Sequence, residues 1–323
     1  MEKVAGFYRV EIPIPVPLKT VNCYLAETSD GWHIIDTGFH TEEARHAWLE
    51  VFRELKIAPR DVAAIVLTHC HPDHFGLAGW LQEYTRAPVR ISAEGRRVIH
   101  YLWETGHEAE VYDAFARQHG MEPESRKKIE QYLKAFPAYV MPYPDFEIIQ
   151  DGDAFQWAGE TYTAMHTPGH ASGHMIFYAQ ATGTVLAGDL LLPRITPNVG
   201  YYPGLGDDPL GAFLASLRKV RDLRLDTVLP GHRQVYANGN QRVEELFAHH
   251  KQRLEIVMSL LDRPSTAQMI SRKMFPHVLP DAAPLQTRFA VEETLAHLLY
   301  LETQGVVKME MDGEGVCYFR PSA

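Results

Sequence analysis

The chain is predicted to fold as an α/β protein with a small, mainly helical domain at its C-terminus, and three observations carry that expectation. Residues 61–67 form a short apolar run rich in β-branched side chains, the pattern of a fully buried strand. Directly behind it stands Thr68-His69-Cys70-His71-Pro72-Asp73-His74, then a helical stretch to about Tyr84 and a further strand at 88–92. Strand, helix and strand make a βαβ unit whose first turn carries a cluster of polar side chains. From Gln241 onward the strand pattern gives way to long helical segments closed by a terminal hairpin, so a domain of residues 1–240 and one of residues 241–323 are expected.

At 323 residues the chain has room for one large domain and a small one, and its 46% hydrophobic and 22% charged content is ordinary for a globular protein. The formal net charge of −10 argues against a general nucleic-acid role, which needs a basic face, although it leaves room for a local basic groove. Cys23, Cys70 and Cys317 are odd in number and far apart, which points to a reducing compartment and no disulfide framework. The N-terminus has no signal-peptide core, and no apolar run is long enough to span a membrane. A cytoplasmic protein without a membrane partner is expected.

Residues 7–14 alternate like a strand, and Pro13, Pro15 and Pro17 push it to a sheet edge. Residues 21–26 and 32–35 are strands around a Ser29-Asp30-Gly31 turn. Asp36 ends the second of them and suits equally well a turn and a carboxylate that orients a histidine through its second ring nitrogen. Thr41 caps a helix with Glu42 and Glu43 in its first turn and an apolar face of Ala44, Trp48, Val51, Phe52 and Leu55. Residues 94–136 read as helical, with 101–136 an insertion between sheet strands. Its faces are too narrow for a core of their own, so it should lean on the large domain, and a lid is favoured over a packing layer. Tyr112, Phe115, Tyr132 and Phe136 would then meet a substrate from one wall and Tyr201 and Tyr202 from the other. Arg126, Lys127, Lys128 and Lys134 read as a solvated face.

Strands follow at 146–149, 153–157, 162–166, 175–178 and 184–189. The Pro/Gly/Tyr-rich loop 193–208, with Arg194, Tyr201 and Tyr202, comes directly after Asp189 and is the candidate substrate wall. A helix at 209–223 and a strand at 227–232 close the large domain. Beyond it come a helix to about Leu261, a Thr266-capped helix, a Pro-rich linker at 276–284, a helix at 291–302 stopped by Gly305, and a hairpin around Asp312-Gly313. That order is winged-helix-like, but Lys and Arg do not outnumber Asp and Glu in it. A packing or homodimer-forming module is therefore expected rather than a DNA reader. His277 and His297 read as structural.

Imidazole nitrogens and a carboxylate on one turn are the donor set for zinc or a neighbouring first-row metal. Four donors within residues 69–74 cannot all reach one tetrahedral ion without strain, so two ions are expected, His69 and His71 on one, Asp73 and His74 on the other. His170, on the Pro-Gly turn of Thr167-Pro168-Gly169-His170, is the third imidazole of the first. Asp189 ends an apolar strand and is placed to bridge two ions, and Pro230-Gly231-His232 repeats the Pro-Gly-His pattern, which marks His232 as a ligand. His174 reads as structural, and His166 as supporting a ligand or facing the core.

These motifs, in this order over residues 7–235, resemble the metallo-β-lactamase superfamily. The resemblance implies an αββα sandwich with the site at one edge between the sheets. It implies His69, His71 and His170 on one metal, Asp73, His74 and His232 on the other, Asp189 between them, and Asp36 near the site. Within the superfamily the pattern is similar to the glyoxalase II-like hydrolases, and the C-terminal piece, with Ala296-His297-Leu298, to the small winged-helix domain of the β-lactamase-like endoribonuclease branch. Two places depart from known patterns. Homoserine-lactone lactonases carry a tyrosine where this chain has Leu192, and glyoxalase II enzymes one where it has Gln234, so neither substrate carries over.

Two Zn2+ ions, or Fe or Mn in their place, would turn a shared water into hydroxide at neutral pH, with Asp73 taking its proton. A small-molecule thioester or activated ester is the expected substrate. A phosphodiesterase acting on single-stranded RNA is the alternative. A metal-dependent redox enzyme and a non-catalytic binding protein are the readings from other classes, marked by iron content and by failure to bind metal.

Overall fold

Seven strands pair in the order in which the chain makes them: β1 (Glu2–Val4), β2 (Phe7–Pro13), β3 (Thr20–Thr28), β4 (Gly31–Ile35), β5 (Val62–Val66), β6 (Val89–Ser92) and β7 (Phe146–Ile149). The first four are antiparallel neighbours, while β4 to β7 run parallel. Crossovers between the parallel strands are α1 (Glu42–Leu55), then α2 (Pro72–Phe75) with α3 (Ala78–Thr85), and after β6 the stretch that begins with α4 (Ala93–Ile99). Six further strands are β8 (Ala154–Trp157), β9 (Glu160–His166), β10 (Met175–Ala179), β11 (Thr184–Gly188), β12 (Thr227–Pro230) and β13 (Tyr236–Ala237). They form a second sheet in sequence order, in which only β11 and β12 pair in parallel.

The inner faces of the two sheets share one core. Phe7, Tyr24, Ile35 and Val66 come from the first sheet, and Phe155, Trp157, Tyr162, Phe177 and Leu229 from the second. Phe7 meets Tyr162 edge-on with ring centroids 5.4 Å apart. Each such side chain contributes roughly 1.5–3 kcal/mol by leaving water. The one polar atom Trp157 brings in is satisfied, its Nε1–H donating to His33 Nδ1 at 2.9 Å. Thr41 caps α1 as expected, its Oγ1 accepting from Ala44 N at 3.1 Å. One expectation is corrected: β2 is not the edge strand, because the short β1 covers it from Phe7 to Arg9. Pro13 is tolerated because it lies beyond that pairing, where no neighbour needs its missing N–H.

The computed structural model describes residues 1–276, 278 and 284–322. Both sheets belong to one compact unit, residues 1–99, 137–197 and 218–243. The second unit comprises residues 100–136, 198–217 and 244–323. It contains α5 (Glu108–Gln118), α6 (Pro123–Ala135), part of α7 (Pro209–Arg221), most of α8 (Gly239–Leu260), α9 (Ala267–Met274), α10 (Pro284–Thr303) and the antiparallel hairpin of β14 (Val307–Met311) and β15 (Cys317–Pro321).

These compact units differ from the expected domains of 1–240 and 241–323 in where they group the insertion. The insertion groups with the C-terminal segment, because its buried faces and backbone find their partners there. Gln268 N donates to His119 O at 3.2 Å, Arg272 pairs with Glu122 at 2.7 Å, and the His119 ring stacks on Phe319 with centroids 6.3 Å apart.

Thr266 caps α9, and Gly305 ends α10 at a positive φ of 72°. The last hairpin turns on Asp312, whose Oδ1 accepts from Glu314 N and Val316 N, both at 2.9 Å. His297 is buried, donating from Nδ1 to Glu293 O at 2.7 Å. His277 and most of the Pro-rich linker lie outside the described residues. The three cysteines are free and buried, and among the described residues no helix is long and apolar enough to cross a membrane.

Candidate metal centre

Parallel strands present their C-terminal ends at one edge, and the ligand candidates sit where those ends turn. Asp36 follows β4, residues 69–74 follow β5, Asp189 follows β11 and His232 follows β12, while His170 lies on the loop from β9 to β10. Within the first motif the backbone changes direction at Pro72. His71 is extended at φ −68° and ψ 143°, and Pro72 starts α2 at once, so that Asp73 and His74 lie on a helical turn. That break lets donors on either side of Pro72 point in different directions.

The structure brings all seven expected side chains together in three overlapping groups: His69, His71 and His170; His69, His74 and Asp189; Asp73, His74 and His232. Within each group the donor atoms lie within 4.8 Å of one another. His69 Nε2 and His71 Nδ1 are 3.0 Å apart. Asp189 Oδ1 is 3.5 Å from His74 Nε2, and its Oδ2 is 3.6 Å from His170 Nε2 and 3.5 Å from His232 Nε2. Asp73 Oδ2 lies 3.2 Å from His232 Nε2. The carboxylate of Asp189 thus reaches donors of both expected centres.

The outer nitrogens fix which ring atom faces inward. Asp36 is buried at a left-handed φ of 60°, and its Oδ2 accepts from His74 Nδ1 and from Thr68 Oγ1, each at 2.8 Å. Its Oδ1 accepts from Thr68 N at 2.8 Å. Thr68 Oγ1 in turn accepts from His69 Nδ1 at 2.9 Å, so one carboxylate orients two imidazoles, the second through a hydroxyl. His232 Nδ1 donates to Thr20 O at 2.9 Å. Each of these three rings therefore turns its Nε2 to the centre. His74 Nε2, His232 Nε2 and Asp189 Oδ1 are buried and make no hydrogen bond there. Buried acceptors without donors are costly unless a ligand occupies the space between them. The donor set of imidazoles and carboxylates fits zinc or a neighbouring first-row ion.

Electrostatics point the same way. Burial opposes a charged His74, yet Asp36, Asp189 and Asp73 hold its pKa well above the ordinary value. His232 is likewise buried and still raised to about 10, by Asp189 and Asp73. Against their own burial, Asp73 is held down to about 2, chiefly by His74 and His232, and Asp189 well below the carboxylate range by the same pair. This flank favours positive charge, which a divalent ion supplies. On the other flank burial, with the neighbouring imidazoles, pushes His71 down to about 3 and His69 well below its ordinary value, so both are neutral donors.

Gly231 is required by close approach: a Cβ there would stand 2.3 Å from Asp189 Oδ1 and 2.7 Å from His74 Cε1. His174 is structural, as expected. Its Nε2 accepts from Asp189 N at 3.0 Å and its Nδ1 donates to Thr167 Oγ1 at 2.9 Å, which fixes the backbone of Asp189. His166 braces the His170 loop, donating from Nε2 to Ser172 O at 2.8 Å. Cys70 is buried, and burial pushes its thiol up to about 12, the opposite of an activated nucleophile.

The substrate candidates divide between the two units. Arg194 is exposed at a φ of 66°. Tyr201 and Tyr202 belong to the second unit. Tyr202 is 6% exposed and stacks on Tyr112 at 6.0 Å beside the Arg288 guanidinium, so its ring is spent on packing where a substrate contact was expected. Phe115 packs on Tyr201 at 5.9 Å, and the two sets of aromatics expected to face each other across a pocket instead touch. The role of Thr68 went unread although it opens the motif, as did the hold of β3 on His232, for which local sequence carries no signal.

A model of the metallo-beta-lactamase superfamily matches residues 16–232, and one described as a metallo-beta-lactamase-like C-terminal domain matches residues 254–322. The chain is 26% identical over 319 residues to the probable metallo-hydrolase YqjP of Bacillus subtilis (strain 168), covering 96% of each. It is 25% identical over 234 residues to an atrochrysone carboxyl ACP thioesterase of Aspergillus fumigatus, covering 72% of this chain and 57% of that one. Among solved structures it is similar to a metallo-beta-lactamase family protein of Thermus thermophilus, with a TM-score of 0.80 and 36% identity over 98% of this chain and 99% of that one.

Proposed function

The chain belongs to the metallo-β-lactamase superfamily and is a metal-dependent hydrolase, and from that premise we propose that it is a dinuclear hydrolase of small-molecule thioesters or other activated esters. The observation that carries the reading is that the Asp189 carboxylate lies 3.5–3.6 Å from His74, His170 and His232, where His74 Nε2, His232 Nε2 and Asp189 Oδ1 make no hydrogen bond. The thioesterase name of one relative supports the substrate class.

When bound, a metal pair here, zinc or an iron or manganese equivalent, supplies Lewis acidity and acidifies a water. His69, His71 and His170 would hold one ion, Asp73, His74 and His232 the other, with Asp189 common to both. Asp73, ionised and beside His232, is the group to receive the proton lost from the attacking water. Asp36 keeps His74 and, through Thr68, His69 in the ligating tautomer. Arg194 and Tyr201 are this reading's candidates for substrate contact, whereas Tyr202 packs on Tyr112. The chain then falls in the glyoxalase II-like branch, acting in the cytoplasm, and its winged-helix-like C-terminal domain packs or dimerises rather than reading nucleic acid.

Metal analysis of the purified protein, followed by a panel of thioesters, lactones and a short single-stranded RNA, tests this. About two equivalents of metal and thioester hydrolysis are expected. Metal-dependent RNA cutting that is lost in Asp189→Ala, with no esterase activity, would replace the reading with the phosphodiesterase one.

A further inference from the structure

The loop that carries His232 has little means of stiffening itself. Pro230 has no N–H to give, and Gly231 cannot carry a side chain because Asp189 and His74 occupy its place. Gly231 N donates to Gly188 O at 2.7 Å within its own sheet, and the rest of the loop's support comes from β3, a strand of the other sheet. Asn22 Nδ2 donates to Pro230 O at 2.9 Å and to Arg233 O at 2.6 Å. The Tyr24 hydroxyl donates to Pro230 O at 2.8 Å. Asn22 N donates to Gly231 O at 2.7 Å, and Thr20 O receives the Nδ1–H of His232. Alternate residues of β3, at 20, 22 and 24, thus face one loop, as the two-residue period of a strand allows. Asn22 and Tyr24 are 1% and 3% exposed, so no water substitutes for these bonds.

We propose that Asn22 and Tyr24 are positioning residues for the second metal position, setting its affinity by holding the carbonyls on either side of His232. The inference rests on the two-metal reading. Only an amide with its NH2 turned to the loop can serve both carbonyls at the Asn22 position. An oxygen there would face two oxygens, at 2.9 and 2.6 Å. A strand-borne support keeps a ligand nitrogen within the roughly half-ångström tolerance that a metal site needs.

The test uses the full chain, stripped of metal by a chelator and titrated with Co2+. Visible absorption and elemental analysis are read at each step, with the melting temperature measured alongside. The parent should take two ions. Asn22→Asp should keep the first and bind the second at least about 100-fold more weakly, and Tyr24→Phe should weaken the second about tenfold, the range seen when the partner of a metal ligand is removed. A purely structural role would lower the melting temperature and leave the second ion's affinity in the folded protein unchanged. Should Asn22→Asp not fold, Tyr24→Phe decides alone. Affinity for the second ion within about threefold of the parent in Tyr24→Phe, or equal weakening of both ions, overturns the proposal. A parent that takes one ion removes the two-metal reading itself, and this inference with it, whatever the variants do.

Discussion

Two buried polar clusters, one in each compact unit, differ in where their charges end. In the first unit the Asp36, Thr68, His69 and His74 chain is closed on its outer side, while His74 Nε2, His232 Nε2 and Asp189 Oδ1 have no hydrogen-bond partner on the inner side. In the second unit Arg288 closes on itself a comparable set. Its Nε meets Glu292 at 2.8 Å, its Nη1 meets Glu108 at 3.2 Å, and its guanidinium lies 5.0 Å from the Tyr112 ring centroid and 5.2 Å from that of Tyr202. One cluster spares acceptors for a ligand. The other pairs its charges within the chain, joining the insertion, the 198–217 segment and α10 of one unit. Burial and charge alone do not separate a site from a strut; the direction of the unsatisfied atoms does.

The contrast is open to mutation. The largest effect is expected for Asp189→Ala. It removes the carboxylate that would serve both proposed centres, and the proposed thioester hydrolysis should fall by on the order of 10³-fold or more with loss of metal and little change in secondary structure. Unchanged metal content in this variant would place the ions elsewhere. Next comes Arg288→Met, which leaves Glu108 and Glu292 buried without their cation and should cost about 3–5 kcal/mol of stability. Urea unfolding measures it, and metal content in the folded fraction should stay at the parent value. Loss of metal here would mean that the second cluster is part of the site. Thr68→Val cuts the link from Asp36 to His69 and should weaken metal binding by about 10–100-fold while thermal stability stays near the parent's. A metal titration indistinguishable from the parent's would remove Thr68 from the account.

The smallest effect concerns pH and lies in the second unit. Burial pushes His297 down to about 4 from 6.5, so the unfolded chain binds more protons between those values. Its contribution to stability is present above 6.5 and lost as pH falls toward 4. Glu293, one turn away, is pushed by burial up to about 7 from 4.5, against the pull of Arg253, so its contribution is present below 4.5 and lost as pH rises through 7. The two windows overlap and their slopes oppose each other, so relative to the parent His297→Gln should make stability fall more as pH rises through this range, and Glu293→Gln should make it rise more, with metal content followed in parallel to separate effects on the first unit. A profile unchanged from the parent's in both variants would show that neither group titrates on unfolding as described.

Much of the site was legible because its signals are local. Residues 69–74 follow a β-branched run, His170 and His232 each follow Pro-Gly, and Asp189 ends an apolar strand, and in the structure all seven donors converge. Asp36 could be read as turn or support from its position, and only its distances of 2.8 Å to His74 Nδ1 and Thr68 Oγ1 distinguish the two. Tyr202 was expected at a substrate wall because a Tyr-rich loop follows a ligand, and local sequence carries no signal of its packing against the Arg288 guanidinium, 86 positions away by number.

The sequence by itself determined most of the strands, the capped helices, the α/β class and the donor set, because periodicity, caps and ligand chemistry act over a few residues. Only the tertiary structure decided what completes each part. The insertion shares a unit with the C-terminal segment, Asn22 holds a carbonyl 208 residues away, and the histidine tautomers follow from partners on other strands. Choosing among distant partners depends on which buried faces and unpaired backbone groups fit together, and that choice exists only once the chain has packed.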